Sequence, residues 1–449
     1  MDKLFKGAAG WAIAVACGCA VQPAWSLDLA QAYKLALEQD ATLRASRAAA
    51  EAGRERLPQA MAQFYPNVSS SLSRSKNDLD TTAPTLLGGS STTNDKYTSS
   101  SDQVTLRQPI FRKQLFAQYR LAQAQVADID AVLERDQQNL VMRVTQAYFE
   151  TLLAEEQLVL VGLQKSAYTV QLDAARKSFA AGAGTRTDID EAQARLDLTI
   201  AQELEASQMV DLARRQLQVL INQPVLEKVA AVDVRKLQLA PPAPASVERW
   251  TELAEAASPE MVSARAQVEA AQADVEKAKA GHYPTLDAVA QISRSTSENI
   301  TRINSRYNQK QIGLQLSIPI FQGGYVNSQV REALAIVERA NNKLEELRRD
   351  LGVRVHKEYR GVSEGVLRVK ALEQAVRSSE QLALSSRRSF EAGARTRLDI
   401  LNAEQQAGTA RRDLAQARFN YLVARVRLKA LAGNLKAENI DEINGWLQH

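Results

Sequence analysis

The side chains that could carry acid–base or metal chemistry are few and far apart. The three histidines do not stand at metal-ligand spacing from a second ligand; they are His282, His356 and His449. Two glutamate pairs, at 155–156 and 345–346, fall on predicted helices with basic neighbours and are interpreted as solvated faces. The sequence contains no P-loop, GxSxG or HExxH motif. It therefore predicts no catalytic constellation, no metal site, no cofactor and no enzymatic activity.

Both cysteines, Cys17 and Cys19, lie in an N-terminal segment with the pattern of an export signal. A basic start precedes an apolar stretch over residues 7–21, which is shorter than the roughly 20 residues of a spanning helix. Small residues around Ser26 predict cleavage after it, so that residues 1–26 form a signal peptide. A lipoprotein signal acylated at Cys17 is the alternative. With cleavage after Ser26 the mature chain has no cysteine, which excludes disulfides and thiolate metal sites.

The composition excludes some classes of protein and favours long helices. The 449 residues carry 56 Lys+Arg against 52 Asp+Glu, a net charge of +4, so the basic excess of a nucleic-acid-binding protein is missing. Aromatic residues make up only 5% and alanine is abundant, which suits closely packed helices better than a thick globular core. No apolar stretch after the signal approaches about 18 residues, so no transmembrane helix is predicted.

The rest of the chain consists of two halves that repeat each other. Three landmarks occur twice in the same order: Phe64-Tyr65-Pro66 and His282-Tyr283-Pro284, Pro109-Ile110-Phe111 and Pro319-Ile320-Phe321, and Ser178–Gly182 and Ser389–Gly393. The offsets between the copies are 218, 210 and 211 residues. Nearly constant offsets in a conserved order indicate a duplication.

Each half is predicted to contain the same elements. A first helix ends at Tyr-Pro, because proline lacks an N–H and restricts the residue before it. Two strands follow, then a helix of nearly 70 residues, about 100 Å long. A glycine turn then leads into a return helix that must pack antiparallel to it. The predicted helices cover residues 29–63, 113–181 and 187–221 in the first half and 247–280, 325–392 and 397–432 in the second.

These elements define a domain organisation and two sets of turning points. The first repeat covers residues 27–222, a proline-rich linker 223–246, the second repeat 247–433 and a tail 434–449. The turns at the hairpin tips are predicted at Gly182, Gly184 and Gly393. The junctions between helices and strands are predicted at Tyr65, Pro66, Pro109, Tyr283, Pro284, Pro319, Gly323 and Gly324.

The four strands discriminate best between functions. From Ile312 to Ile320 apolar residues occupy every even position, as in a half-buried or membrane-spanning strand. Two polar loops, Ser75–Asp102 and Ser295–Gln309, separate the strands of each half. A soluble hairpin is the alternative for any single strand. Four strands cannot close a membrane barrel, and an open edge is not tolerated in lipid. A barrel shared by three chains would have 12 strands and enclose a lumen.

With these features the chain resembles the TolC family of outer membrane exit ducts. The resemblance covers about residues 27–433 and depends on the duplicated order of helices and strands, the two Tyr-Pro sites, Pro-Ile-Phe-Gln-Gly-Gly at 319–324 and Gly-Ala-Arg-Thr-Arg-Leu-Asp-Ile-Leu-Asn at 393–402. It implies a mainly α-helical protein with a membrane β-barrel portion: a homotrimer with a 12-stranded barrel in outer membrane lipid, continuous with a helical tunnel in the periplasm. It also implies a periplasmic adaptor and an inner-membrane ABC or proton-driven transporter as partners.

The resemblance further implies a gate at the periplasmic tips of the hairpins. The matching positions are Thr187, Asp188, Phe390, Arg395, Asp399 and Asn402. Asp399, repeated around a threefold axis, would form a carboxylate ring that selects cations. Arg395, four residues earlier, could pair with Asp399, and Asp188 of the neighbouring hairpin could compete for that arginine. Two positions depart from the family: Asn402 replaces an aspartate and Phe390 a tyrosine. Both changes predict weaker cation block and easier opening. For Asp188 and Asp399 the alternative is a purely structural role as first-turn acids of a helix.

A further departure lies after Pro109-Ile110-Phe111, where Arg112-Lys113 replaces the Gly-Gly of the second half. We interpret this pair as solvated, with a site near lipid headgroups as the alternative. Two other classes of protein stay open, a periplasmic adaptor and a coiled-coil scaffold, although the duplication and the four strands disfavour both. For the exported substrate, overall resemblance favours type I protein secretion over multidrug or metal efflux.

Overall fold

The structure, a computed structural model, describes residues 27–85, 88–225, 228–233, 235–297, 305–435 and 437–447. The predicted signal peptide lies outside these residues. The first half contains α1 (Leu29–Gln39), α2 (Ala41–Arg54), α3 (Arg56–Ala62), β1 (Asn67–Thr85), β2 (Gly89–Arg112), α4 (Lys113–Ala180) and α5 (Arg186–Ile221). The second contains α6 (Val247–Ala257), α7 (Pro259–Lys279), a 3₁₀ turn (Ala280–His282), β3 (Thr285–Ser297), β4 (Ser305–Ser317), α8 (Tyr325–Glu391) and α9 (Arg397–Leu431), followed by α10 (Ala437–Asn444).

Two long helical hairpins dominate the molecule, as predicted. Helix α4 has 68 residues and α8 has 67, and each packs along its return helix, α5 or α9. The predicted bounds of all four helices are confirmed to within one residue at each end. No helix in the described part of the chain is both long and apolar enough to cross a membrane.

The first helix of each half is broken, which the sequence analysis did not predict. Asp40 ends α1 and caps α2, because its Oδ1 accepts a hydrogen bond from the N–H of Leu43 at 2.7 Å. The same buried carboxylate pairs with Arg143 of α4 at 3.0 Å. In the second half Ser258-Pro259 separates α6 from α7, and Pro259 occupies the first position of the new helix. The prediction of continuous helices over 29–63 and 247–280 is therefore wrong.

The strands form one antiparallel sheet in the order β1-β2-β3-β4. The pairing of β2 with β3 joins the two halves of the chain. The first hairpin is far longer than predicted, because β1 and β2 pair from Asn67–Arg107 to Thr85–Gly89. The loop predicted at Ser75–Asp102 is therefore wrong over most of its length. In the second hairpin β4 ends at Ser317 and not at Ile320, and residues 298–304 of the other predicted loop lie outside the described residues.

The sheet has one apolar and one polar face. Val68, Leu106, Ala290 and Ile312 lie side by side across the four strands, and Ile312 is 87% exposed. The neighbouring row on the other face is polar throughout and consists of Ser69, Thr105, Gln291 and Gln311. An exposed apolar face on a sheet whose other face is polar is the arrangement of a barrel wall between lipid and water.

The predicted linker and tail are packed against the helices. Tyr148 of α4 is fully buried, and its hydroxyl donates to the carbonyl oxygens of Leu27 and Ala230 at 3.1 and 2.9 Å. Tyr421 of α9 binds the backbone of Ala240: its hydroxyl accepts a hydrogen bond from the N–H and donates one to the carbonyl oxygen. After α10, Leu447 pairs with the segment again in an antiparallel bridge to Val232. The two tyrosines thus hold the connecting segment against the middle of the long helices.

The junctions between sheet and helices differ between the two halves. Tyr65-Pro66 and Tyr283-Pro284 stand directly before β1 and β3, Pro109 lies at a bulge in β2, and Pro319 follows the end of β4. Gly323 and Gly324 both have positive φ before α8. In the first half Arg112 is extended and its guanidinium binds both carboxylate oxygens of Asp287 in β3. The interpretation of Arg112 as solvated is therefore wrong, because it joins the two repeats.

Gly433 makes the end of α9 sensitive to substitution. Its φ is +67°, and a Cβ there would overlap the backbone carbonyl of Ala257 at the end of α6. We expect Gly433→Ala to lower the free energy of unfolding by about 3 kcal/mol, since left-handed strain and a backbone clash add. Thermal unfolding of the full chain in detergent would measure this loss.

Gly352→Ala is the matched control, because Gly352 lies inside α8 with open space around the added methyl. We expect it to leave stability unchanged or to raise it by up to about 1 kcal/mol. Equal losses for both variants would contradict the packing of α9 against α6.

Candidate functional site at the hairpin tips

The two hairpin tips have the same backbone geometry. After α4, Gly182 has a φ of +75°, its N–H donates to the carbonyl of Phe179, and the N–H of Ala183 donates to Ser178. After α8, Gly393 has a φ of +74° and makes the equivalent bonds to Phe390, followed by Ala394 to Ser389. Both are Schellman motifs, which place glycine in the left-handed position that ends a helix. Gly184 faces Phe179, where an added Cβ would be crowded.

The predicted gate aspartates begin the return helices. Thr185 accepts a hydrogen bond from the N–H of Asp188 at 3.2 Å, and Asp188 Oδ2 accepts from the Thr185 N–H at 2.9 Å. Thr396 and Asp399 repeat this arrangement at 3.3 and 2.8 Å. These capping boxes satisfy backbone donors that a helix start otherwise leaves unpaired. The structural role that the sequence analysis gave as an alternative is thus present at both sites, while Thr187 lies exposed beside the first one.

The capping box also lowers the pKa of Asp399. Hydrogen bonds from the hydroxyl and the backbone N–H of Thr396 lower the pKa of this carboxyl, and the positive charge of Arg395 lowers it further. The guanidinium of Arg395 points elsewhere, because its Nη1 donates to the buried hydroxyl of Ser386 at 2.9 Å. An ion pair between Arg395 and Asp399 is not among those found in the described residues. Asp399 is therefore a carboxylate at neutral pH within the single chain.

Asn402 lies at the contact between the two hairpins. Arg195 of α5 donates from its Nη2 to Asn402 Oδ1 at 3.1 Å and from its Nη1 to Gln405 Oε1 at 3.3 Å. The same guanidinium pairs with Glu191 on its own helix at 3.0 Å and is only 21% exposed. Asn402, which departs from the family pattern, therefore accepts a hydrogen bond from a cationic side chain of the neighbouring hairpin.

A second link crosses the same contact beside Asn402. Glu404 of α9 pairs with Arg387 of α8 at 2.6 Å and accepts a hydrogen bond from Gln171 of α4 at 3.0 Å. One carboxylate thus joins both hairpins of the chain. The structure brings Asn402 and Glu404 to the contact between hairpins, whereas Asp399 and Arg395 bond to their own hairpin.

Four residues of these contacts were not predicted from the sequence: Arg195, Glu404, Gln171 and Arg387. Arg195 stands four residues after Glu191 and looks like half of a solvated pair on one helix. The repeat held a usable signal, since the offset of 211 residues equates Asn402 with Glu191. Equivalent positions of two parallel hairpins lie at the same height, so Arg195 can reach both of its acceptors.

Comparison with known proteins agrees with this architecture. The sequence profile of the family described as "Outer membrane efflux protein" matches residues 32–223 and 250–434. The chain belongs to this family. It is 34% identical over 420 residues to the alkaline protease secretion protein AprF of Pseudomonas aeruginosa, a match that covers 94% of this chain and 87% of AprF. It is 28% identical over 430 residues to the outer membrane protein TolC of Escherichia coli, covering 94% and 85%.

A solved structure shows the same fold at lower identity. The outer membrane protein VceC of Vibrio cholerae superimposes with a TM-score of 0.77 at 17% identity, covering 91% of this chain and 99% of VceC. This superposition confirms the predicted TolC-like fold. The family profile and the sequence relatives confirm the predicted family, the role as an outer membrane exit duct and the location in the outer membrane, where such channels work with partner proteins.

The hydrogen bonds of the capping box predict how the stability of the tip depends on pH. Folding lowers the pKa of Asp399 below its ordinary value of 3.8. These bonds therefore stabilise the tip fully at pH values above 3.8, and this stabilisation is lost as the pH falls through the lower pKa of the folded state. We expect Thr396→Val, which removes the hydroxyl, to raise the pKa of Asp399 toward 3.8. Carboxyl ¹³C shifts of aspartate-labelled protein would measure the titration, with Asp399→Asn to assign the signal.

Thr409→Val is the matched control, since Thr409 lies exposed on the same helix away from the tip. It should leave the titration of Asp399 unchanged. If Thr396→Val also had no effect, the capping box would not be the cause of the lowered pKa.

Proposed function

We propose that three copies of the chain form the duct. The sheet of one chain leaves two edge strands, β1 and β4, and carries an exposed apolar face. In lipid an open edge leaves backbone groups without hydrogen-bond partners, so pairing β1 of one copy with β4 of the next would remove every edge. Three copies would supply 12 strands, an even number within the range of outer membrane barrels. The hairpins below would then surround a common lumen in the periplasm.

The proposed cargo is a protein exported by type I secretion. The duct would receive it from an inner-membrane ABC transporter through a periplasmic adaptor. The transporter would supply the energy, so the chain itself would have no catalytic role. The observation that supports this choice is the 34% identity with AprF along 94% of the chain, since the name of that relative describes protease secretion. Efflux of drugs or metals through a proton-driven pump is the competing outcome.

We place the gate of the duct at the hairpin tips. Thr187, Asp188, Phe390, Arg395, Asp399 and Asn402 are its proposed residues, together with Arg195. In a trimer the three copies of Asp399 would form a ring of negative charge at the constriction. Arg195 would hold the two hairpins of each chain together through Asn402 and Gln405. Opening the tip by moving one hairpin past the other would have to break these bonds.

Arg195 and Asn402 make the gate testable in planar bilayers. We expect Arg195→Gln to raise the open probability of the resting channel about thirtyfold, since it removes the two bonds to the second hairpin, each worth about 1 kcal/mol. Arg186→Gln is the matched control, because Arg186 is 75% exposed and pairs with Asp190 on its own helix. It should behave as the wild type. An unchanged open probability in Arg195→Gln would contradict the proposal that Arg195 holds the two hairpins together.

Block by trivalent cations tests the charge ring separately. Asp399→Ala should abolish the block. Asn402→Asp should strengthen it only slightly, because the guanidinium of Arg195 lies 3.1 Å from the side-chain oxygen of residue 402 and would neutralise the new charge. The double change Asn402→Asp with Arg195→Gln should tighten the block about tenfold. Block that survives Asp399→Ala would overturn the assignment of Asp399.

Secretion by the native host tests the cargo. Deleting the gene should stop the release of at least one protein into the medium without changing tolerance to drugs or metal ions, and the intact gene should restore release. The proteins of the medium and the growth-inhibitory concentrations would be measured in parallel. Lost tolerance with unchanged secretion would identify an efflux duct instead.

A further inference from the structure

Three cations stand at the upper end of the apolar face of the sheet, and the proposed duct gives them no role. Lys310 pairs with Ile292 in the last apolar row, Arg294 pairs with Asn308 in the next row, and Arg306 pairs with Thr296 in the row after that. Side chains on one face of a strand recur every second residue, so all three share the face of Ile292 and Ile312. We call Arg294, Arg306 and Lys310 the basic cluster.

The members of the basic cluster are close enough to act on one ligand. Arg294 is the diagonal neighbour of both Lys310 and Arg306 across the pair of β3 and β4, at a Cβ separation of roughly 7–8 Å that long side chains can bridge. All three side chains are exposed. The ion pairs and hydrogen bonds found within the described ranges include none made by these three.

Acidic groups in the described part of the sheet do not neutralise the cluster. Asp102 lies opposite Arg294 in the register of β2 and β3, and it is the one acidic residue in that row. The next acids on this face, Asp78 and Asp80, are already engaged, because Asn94 donates to both and Lys96 pairs with Asp78. Three cations against Asp102 leave a positive excess at the boundary between apolar and polar rows.

The proposed trimer would add to this excess. It brings β1 of one copy beside β4 of the next, and β1 carries Arg74 and Lys76 on the same face. An anion from outside the protein is therefore the complementary partner. The anion must sit where an apolar surface meets water, because the row directly below the cluster, with Ala290 and Ile312, is apolar and Ile312 is exposed.

We propose that the basic cluster binds the phosphate groups of the glycolipid in the outer leaflet of the outer membrane. Lipid A, the diphosphorylated anchor of that glycolipid, has acyl chains that would cover the apolar rows and phosphates at the height of Arg294 and Arg306. Arginine and lysine bind phosphate by charge-assisted hydrogen bonds, and cations next to an apolar face are typical of contacts with anionic lipid. The inference uses the membrane orientation of the proposed duct, with the strand ends outside.

Native mass spectrometry of the full-length protein in mild detergent would test the assignment, with purified lipid A as the probe. We expect the triple variant Arg294→Gln, Arg306→Gln, Lys310→Gln to bind lipid A at least about tenfold more weakly than the wild type. The charge-preserving variant Arg294→Lys, Arg306→Lys, Lys310→Arg should stay within about threefold. A matched variant that removes three exposed cations of the helices, Lys177→Gln, Arg186→Gln and Arg249→Gln, should bind like the wild type.

Several results would overturn the assignment. These are unchanged binding in the triple variant, an equal loss in the variant of the helices, and equal retention of dephosphorylated lipid A or of phosphatidylglycerol by the wild type. If the triple variant does not assemble, the single change Arg294→Gln should still weaken binding about threefold, and no loss there would be decisive. Conductance of the same samples separates the two proposals, because retained lipid A without a conducting channel would contradict the duct alone.

Discussion

The open edges of the four-stranded sheet are the constraint on which the rest of this molecule depends. Strands β1 and β4 each leave a row of backbone donors and acceptors unpaired, next to a face on which Ile312, Leu314 and Leu316 are more than half exposed. A sheet with an apolar exterior needs lipid, and lipid does not tolerate an open edge. In the proposed trimer the chain is one part of a closed wall, and its helices would be arranged around the axis that this wall defines.

That arrangement needs a rigid point between the sheet and the distant tips, and the buried tyrosines provide it. Tyr148 and Tyr421 stand at similar heights on α4 and α9 and bind the connecting segment from both sides. Beyond Tyr148 helix α4 continues for more than 30 residues, about 50 Å, with few large buried side chains. Toward the tips only a few larger side chains, such as Leu172 and Leu401, are buried, and polar contacts such as Arg195 with Asn402 join the two hairpins. A region with so little buried apolar surface is the one that can move without unfolding the remainder.

The repeated sequence carried most of the information about this architecture. The offsets near 211 residues and the glycines at 182 and 393 predicted both hairpins, because a local turn motif determines where a long helix ends. The break at Asp40 was missed, since it depends on a distant partner, Arg143. The break at Ser258 was missed although Pro259 marks it in the sequence, because the apolar periodicity continues on both sides. The length of β1 was missed because a row of Ser, Thr and Asn has no alternation to read. Arg112 was misinterpreted and Arg195 was missed for one reason: their partners, Asp287 and Asn402, are 175 and 207 residues away.

The departure at Asn402 has a consequence for how firmly the tip is closed. An aspartate at this position would form an ion pair with Arg195, which at a site where residue 402 is exposed adds up to about 1 kcal/mol. The asparagine keeps the acceptor for Arg195 but loses this attraction between opposite charges. Arg195 still has Glu191 on its own helix when the hairpins separate, so its charge is not left unpaired. In the proposed gate, the exchange of charge for an amide would therefore lower the free-energy cost of opening while it keeps the geometry of the contact between the hairpins.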